Sequence, residues 1–457
     1  MSMLDNLSNS SDEKIRKLVI KSLNPSKDPP LYDLAPNKPD NTEAVAEACR
    51  RLPDILPRAL SALKGLKSVR WELARRESER ILDAVLESLG PLPALVDFEI
   101  IIVDDTRGDN APDAALSLQH LRNGALQRLA IKHDNIPDLN QFVSSVATVL
   151  LHNPRIIHLE LDMFAYGWQR EQLSFQDLIQ DLPSETVQLR SLLLRGWTIQ
   201  MTPKTRPHLA SLHSLQLLWT KYAKYEALWK SLCSSPPQSI RHITAGRVCD
   251  ELLDFLQSIS GLEVLELSST LGDTLAESDR FARRFYQDVF PRHRSTLRKV
   301  TITPSYTGMW TIGLHSAGTF DKCRRLTHLT VGLDPDEIRP GENEQDVVAS
   351  FISRVVRLPE LSVLVLPPVA PNRFHGLHRG GGTSRIYALD RIMKRTQNSF
   401  EKVVIRNAPR PHQSLVISTM WAIGSRGDFL PVYDSEGSLR FQRPQVEREP
   451  DNEDEDD

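Results

Sequence analysis

The sequence predicts an α/β fold built as a stack of about 12–13 irregular strand–loop–helix units, their strands side by side in a parallel sheet. Three observations carry this. A phrase of the form apolar-x-x-apolar-x-apolar returns along the 457-residue chain. Between its copies the apolar period changes from two to 3.6, the change from strand to helix. Finally, Pro or Gly closes many of the helical stretches just before the next phrase.

In chain order the phrase is "IRKLVI" from Ile15, "LKSVRW" from Leu66, "LVDFEI" from Leu95, "LQRLAI" from Leu126 and "IIHLEL" from Ile156. It continues as "LRSLLL" from Leu189, "LHSLQL" from Leu212, "IRHITA" from Ile240 and "LEVLEL" from Leu262. The last copies are "LRKVTI" from Leu297, "LTHLTV" from Leu326, "LSVLVL" from Leu361 and "FEKVVI" from Phe400. From Leu66 onward the mean spacing is about 30 residues, with steps from 22 (Ile240 to Leu262) to 39 (Leu361 to Phe400). One such match would mean little, and so many at one loose period specify a repeat. The first, fourth and sixth positions should point into the core and the third, fifth and seventh toward solvent.

The helical stretches follow the same order. Residues 41–64 read as a helix. "SERILDAVLESLG" puts Ile81, Leu82, Val85, Leu86 and Leu89 on one face, as amphipathic helices do. "DLNQFVSSVATVLL" does so with Phe142, Val146, Val149 and Leu150, and "DELLDFLQSIS" and "EQDVVASFISRVVRL" obey the same rule. The stops are "LGPLPAL", "LHNPRII", "SSPPQSI", "SISGLEV" and "RLPELSV". A lone unit of this kind cannot bury its apolar face, and stacked copies can.

The pattern resembles the leucine-rich repeat over residues 15–420, which implies a horseshoe solenoid with the parallel sheet on its concave face. The family's Asn or Cys at the ninth position of the phrase is missing. Ala74, Val103, Asp134, Phe164, Trp197 and Thr220 stand there in six successive units, so irregular turns are expected. Units this long and uneven resemble those of fungal F-box-type proteins, in which the repeats select substrates for a ubiquitin ligase. "RRLPDILPRAL" has the Leu-Pro opening of an F-box at Leu52 and Pro53, but the next phrase starts at Leu66. That leaves too little chain for the module, so "LPDIL" reads as a repeat helix. The resemblance therefore implies a recognition part without a recognisable F-box. The rival fold is an eight-stranded βα-barrel hydrolase. It predicts fewer strands, buried on both faces, where this sequence has polar outward positions such as Arg70, Glu72, Glu266 and Lys299.

Composition sets the remaining bounds. Charged residues make up 25% and the net charge is −3, which does not favour sequence-independent nucleic-acid binding. The cysteines, Cys49, Cys233, Cys249 and Cys323, have no CxxC spacing and read as reduced thiols of an intracellular protein, cytoplasmic or nuclear. No apolar run reaches the length of a membrane span. Residues 1–14 read as a disordered N-terminus, 21–45 as a long loop, 373–385 as a loop excursion, 421–443 as a C-terminal capping segment and 444–457 as a disordered acidic tail.

No catalytic residue, cofactor or metal is expected. "HRGGGTSR" lacks the Lys of a phosphate loop. His375 and His378 have no second ligand group nearby, and Asp104 and Asp105 have no nucleophile in sequence. "PRHRSTLRK", residues 291–299, reads as a basic helix-to-strand turn. Two features suit a protein partner instead. Phe164, Tyr166 and Trp168, then Trp197, then Trp219, Tyr222 and Tyr225 follow three successive strands. They either cap the core or form an aromatic rim of the kind that dominates interfaces. On the strand face, Asp97, Glu99, Glu160 and Asp162 make the early part acidic around Arg128 and Lys132, whereas Lys299, Lys402 and Arg406 make the late part basic.

Overall fold

The computed structural model describes residues 15–21, 42–74, 79–103, 117–133, 138–163, 173–183, 186–218, 225–270, 274–342, 345–372, 382–406, 415–419 and 428–443. The chain divides into two compact units, residues 1–240 and 241–457.

The first unit runs β1 (Lys17–Ile20), α1 (Thr42–Ser61), β2 (Ser68–Ala74), α2 (Glu79–Leu89), β3 (Asp97–Val103), β4 (Arg128–His133), α3 (Leu139–His152) and β5 (His158–Met163). It continues β6 (Leu173–Ser174), α4 (Phe175–Ile179), β7 (Ser191–Arg195), β8 (Trp197–Thr198), α5 (Thr205–Leu209), β9 (Ser214–Leu218) and α6 (Glu226–Ser234). Strands β1, β2, β3, β4, β5, β7 and β9 pair in that order, all parallel. The short β6 and β8 form a separate parallel ladder.

One backbone device recurs at the start of these strands. The amides of the second and third residues of a phrase both donate to one carbonyl of the preceding phrase. Val96 and Asp97 share the Lys67 oxygen at 2.9 and 3.0 Å, and Gln127 and Arg128 share that of Val96 at 2.8 and 3.0 Å. The same arrangement ties Ile157 and His158 to Gln127, and Arg190 and Ser191 to Ile157. It fixes the register, and a slip of one residue would turn the apolar set outward. With the register fixed, Leu66, Val69 and Trp71, Leu95, Phe98 and Ile100, and Leu126, Leu129 and Ile131 are all buried, as the phrase predicts. The helices supply the other side of the core. Ile81, Leu82, Val85, Leu86 and Leu89 of α2 are buried, as are Phe142, Val146, Val149 and Leu150 of α3. Asp138 caps α3 by accepting from the Gln141 amide at 2.9 Å, satisfying an N-terminal donor that the helix leaves open. "LPDIL" lies inside α1, with Pro53 and Pro57 within the helix.

The second unit runs β10 (His242–Arg247), α7 (Asp250–Ser258), β11 (Val264–Thr270), α8 (Leu275–Arg284), a π-helical turn over Phe285–Val289, α9 (Phe290–His293) and β12 (Lys299–Pro304). Then come β13 (His328–Val331), α10 (Val347–Val355), β14 (Val363–Val365), α11 (Gly382–Lys402), β15 (Val416–Ser418), β16 (Asp428–Tyr433) and β17 (Leu439–Gln442). Strands β10 to β15 are parallel, while β16 and β17 add as an antiparallel hairpin. Among the described residues of each unit the strands form a linear row with two ends and no closing pair, so the βα-barrel reading is overturned.

Three expectations about elements change, one being the loop excursion over 373–385, which gives way to helix α11 at Gly382. The phrase from Phe400 is not a strand. "NSFEKVVI" lacks the Pro or Gly stop that closes many of the other helices, and α11 continues through Phe400. The apolar side chains there fit a helix end as well as a strand start. Phe400 stacks on Phe429 at 5.1 Å and meets Phe441 edge-on at 5.8 Å. The strand that pairs with β14 is Val416–Ser418. The stretch read as a loop over 21–45 ends early, because α1 begins at Thr42. The expected disorder at 1–14 and 444–457 lies outside the described residues. Cys233 and Cys323 are free thiols, and burial pushes the Cys323 pKa up to about 12. Among the described residues, no helix is long and apolar enough to cross a membrane.

Candidate protein-interaction face

The strand register of the first unit turns the outward phrase positions into three rows across the sheet. One row is Lys17, Ser68, Asp97, Arg128, His158, Ser191 and Ser214. The next is Val19, Arg70, Glu99, Ala130, Glu160, Leu193 and Gln216. The third carries Glu72, Ile101, Lys132, Asp162, Arg195 and Leu218. The four acidic residues picked out by sequence thus share one face. The structure also brings in Arg70, Glu72 and Arg195.

Most of these side chains form one ion-pair ladder, with Arg195 and Asp162 as a further pair on the same face. Arg128 donates to Asp97 at 2.9 Å and to Glu160 at 3.1 Å. Lys132 reaches Glu99 at 3.0 Å and Glu160 at 3.1 Å. Arg70 contacts Glu72 at 3.1 Å and Glu99 at 3.6 Å, and Arg195 meets Asp162 at 3.2 Å. Ser68 donates to the other oxygen of Asp97 at 3.0 Å. The Glu99 side chain is only 11% exposed, whereas those of Arg128, Lys132 and Asp97 remain about one-third exposed. Burial by itself lowers the pKa of Arg128. Asp97, Glu99 and Glu160 outweigh it, so the value stays above the usual one. Lys132 behaves alike, with burial opposed and exceeded by Glu99 and Glu160. Nearby, burial and then Arg128 and Arg190 hold the His158 imidazole below its ordinary pKa. The face is therefore a fixed pattern of alternating charge.

The aromatic rim is corrected where the structure describes it. Trp197 is fully buried, with its ring 6.3 Å from Phe142. Tyr225 is buried too and donates to the Trp197 carbonyl at 2.9 Å, and burial pushes its phenol pKa up. Both therefore cap the core, because an aromatic ring loses most by staying in water when a gap beneath a turn can take it. Phe164, Tyr166, Trp168, Trp219 and Tyr222 lie outside the described residues, as do Asp104, Asp105, His375 and His378.

The outer face of the second unit differs from its predicted basic character. Thr244, Glu266, Thr301 and Thr330 form one row, and His242, Val264, Lys299 and His328 the next. Glu266 neutralises Lys299 at 2.6 Å and accepts from Thr244 at 3.0 Å. Lys402 belongs to helix α11, and Arg406 follows the isolated bridge between Ile405 and Leu439, so neither stands on the parallel strands. The basic turn at 291–299 is structural in part. His293 is fully buried against the Leu256 carbonyl at 2.9 Å, and Arg292 reaches the Gln257 carbonyl.

Sequence reasoning missed a set of side chains that tie successive units together just before the strands. Asn153 is fully buried, donates to Leu121 and Val149 oxygens at 2.7 and 2.8 Å, and accepts from the Gly124 amide at 3.0 Å. Asn123 donates to Leu92 and Leu95 oxygens and accepts from the Ala125 and Leu126 amides. Each stands three residues ahead of its phrase, a spacing that could have been found by searching upstream as well as downstream.

The sequence matches no protein-family model and no curated protein.

Proposed function

We propose that the chain is a non-enzymatic, protein-binding solenoid of leucine-rich-repeat type that takes its partner on the outward side of its strands. By resemblance, it would serve as a substrate-recognition part of an F-box-type ubiquitin-ligase system. The observation that carries the reading is the charged face of β2 to β7. Parallel sheets are ordinarily covered on both sides, yet here Asp97, Arg128 and Lys132 stay about one-third exposed. A rigid face of alternating charge selects partners by electrostatic complementarity more than by affinity. The partner is then a folded or extended protein surface with matching charges.

Affinity capture with the full chain tests this. A partner held by the wild type should be lost about ten-fold or more on the double variant Arg70→Glu, Arg195→Glu, in line with the several kcal/mol that a like-charge juxtaposition costs. It should survive Arg155→Glu on the turn after α3. Equal retention by both variants would sink the proposal. Binding of the purified F-box adaptor subunit by the full chain decides whether the ligase role stands or the protein is a free-standing scaffold.

A further inference from the structure

Helix α11 of the second unit carries a groove that the repeat pattern does not use. It has a volume of about 420 Å³ and is lined by Pro335, Asp336, Pro371, Tyr387, Arg391 and Arg395 among others. Tyr387 and its neighbour Ile386 are 70% and 65% exposed, the most exposed large apolar residues among those described. Arg391 is exposed and makes no ion pair among the described residues. Arg395 reaches the Ile338 carbonyl, which anchors one wall. Lys394 pairs with Asp390 at 2.8 Å on the helix surface, and Asp336 is the opposing charge on the rim. The groove thus combines an uncovered aromatic ring with an excess of positive charge.

The chain itself holds a complementary segment. Residues 444–457 read "PQVEREPDNEDEDD", with eight carboxylates against one arginine. Its point of departure is Arg443, which contacts Glu401 at 2.9 Å and Gln397 at 3.3 Å near the end of α11. Gln397 and Arg391 are six residues apart, about 9 Å along a helix. A segment of this length spans up to about 46 Å when extended. Tethering so close to the groove gives an effective concentration on the order of millimolar.

We propose that the groove beside α11 is a docking site for an acidic peptide, and that its occupant is the chain's own segment 444–457. Arg391, Arg395 and Lys394 hold its carboxylates, and Tyr387 packs against its backbone and Val446. An outside acidic partner would have to displace this segment. The test uses the full chain and zero-length carbodiimide coupling, which joins an amine to a carboxylate only where they touch. Peptide mapping should find Lys394, beside the groove, joined to carboxylates of 444–457 within one chain. Mixed labelled and unlabelled protein identifies within-chain links. Their yield should fall about five-fold in 0.5 M salt, where charges are screened within about 4 Å, and similarly in Arg391→Glu, an exposed change whose folding circular dichroism checks. Links spread evenly over surface lysines, links only between two chains, or a yield indifferent to Arg391→Glu would each overturn the proposal.

Discussion

Arg128 shows how one side chain organises the charged face. It touches Asp97 and Glu160 directly and lies 3.8 Å from Glu99. Truncating it in Arg128→Met leaves those carboxylates facing each other at partial burial. The expected loss is about 1–3 kcal/mol, between the cost of an exposed pair and that of a buried one. Urea denaturation measures it, and a change under about 0.5 kcal/mol would mean the ladder adds nothing to stability. His293 predicts a pH response. Its Nε2 side donates to Leu256 while buried Nδ1 has no hydrogen-bond partner among the described residues. Burial, and then Arg292, lowers its pKa despite the Leu256 bond. A histidine depressed in the folded state keeps its full stability above the unfolded value of about 6.5. It loses stability as pH falls below that value toward the folded pKa. Wild type should therefore lose stability relative to His293→Gln between pH 7.5 and 5.5, and parallel melting curves at both pH values would refute this. Such residues are hard to find in sequence. A buried histidine and a solvated one look alike until the helix that covers it is placed.

The strands were legible because each phrase repeats a complete physical instruction: three inward apolar residues and a backbone start shared with the unit before. The helix α11 was less so. Without a Pro or Gly stop, the spacing of Phe400, Val403 and Ile405 suits either element, and the hairpin packed on Phe400 decides. Turns were the least legible, since their requirements are local geometry. Gly196, between β7 and β8, has φ +81°, and an added Cβ would sit 2.5 Å from the Met163 carbonyl oxygen. Gly437, in the β16–β17 turn, has φ +75° with nothing within 4 Å. Alanine at Gly437 should cost about 1 kcal/mol, the price of the left-handed backbone alone. At Gly196 the clash adds to it, for a total of about 2–4 kcal/mol. Equal melting-temperature losses for the two variants would show that the turn at Gly196 relaxes freely.

For the molecule as a whole, the sequence revealed how the chain is layered and which residues face outward, but not which of those faces stays bare. Charge on alternate residues looks the same whether it is solvated separately or knitted into the ladder of Arg70, Glu99, Arg128, Lys132 and Glu160. Only the register distinguishes them. The register also has an end. The last strand of a row presents a free edge, which is a template for a strand from a neighbouring molecule. In the second unit β16 runs antiparallel to that series and β17 turns back to run with it, and β17 is tied by reciprocal bonds between Leu439 and Ile405 at 2.9 and 3.0 Å. That bridge occupies backbone groups that a neighbouring strand would otherwise pair with, so it shields this end of the sheet against fibre-like growth and intermolecular aggregation.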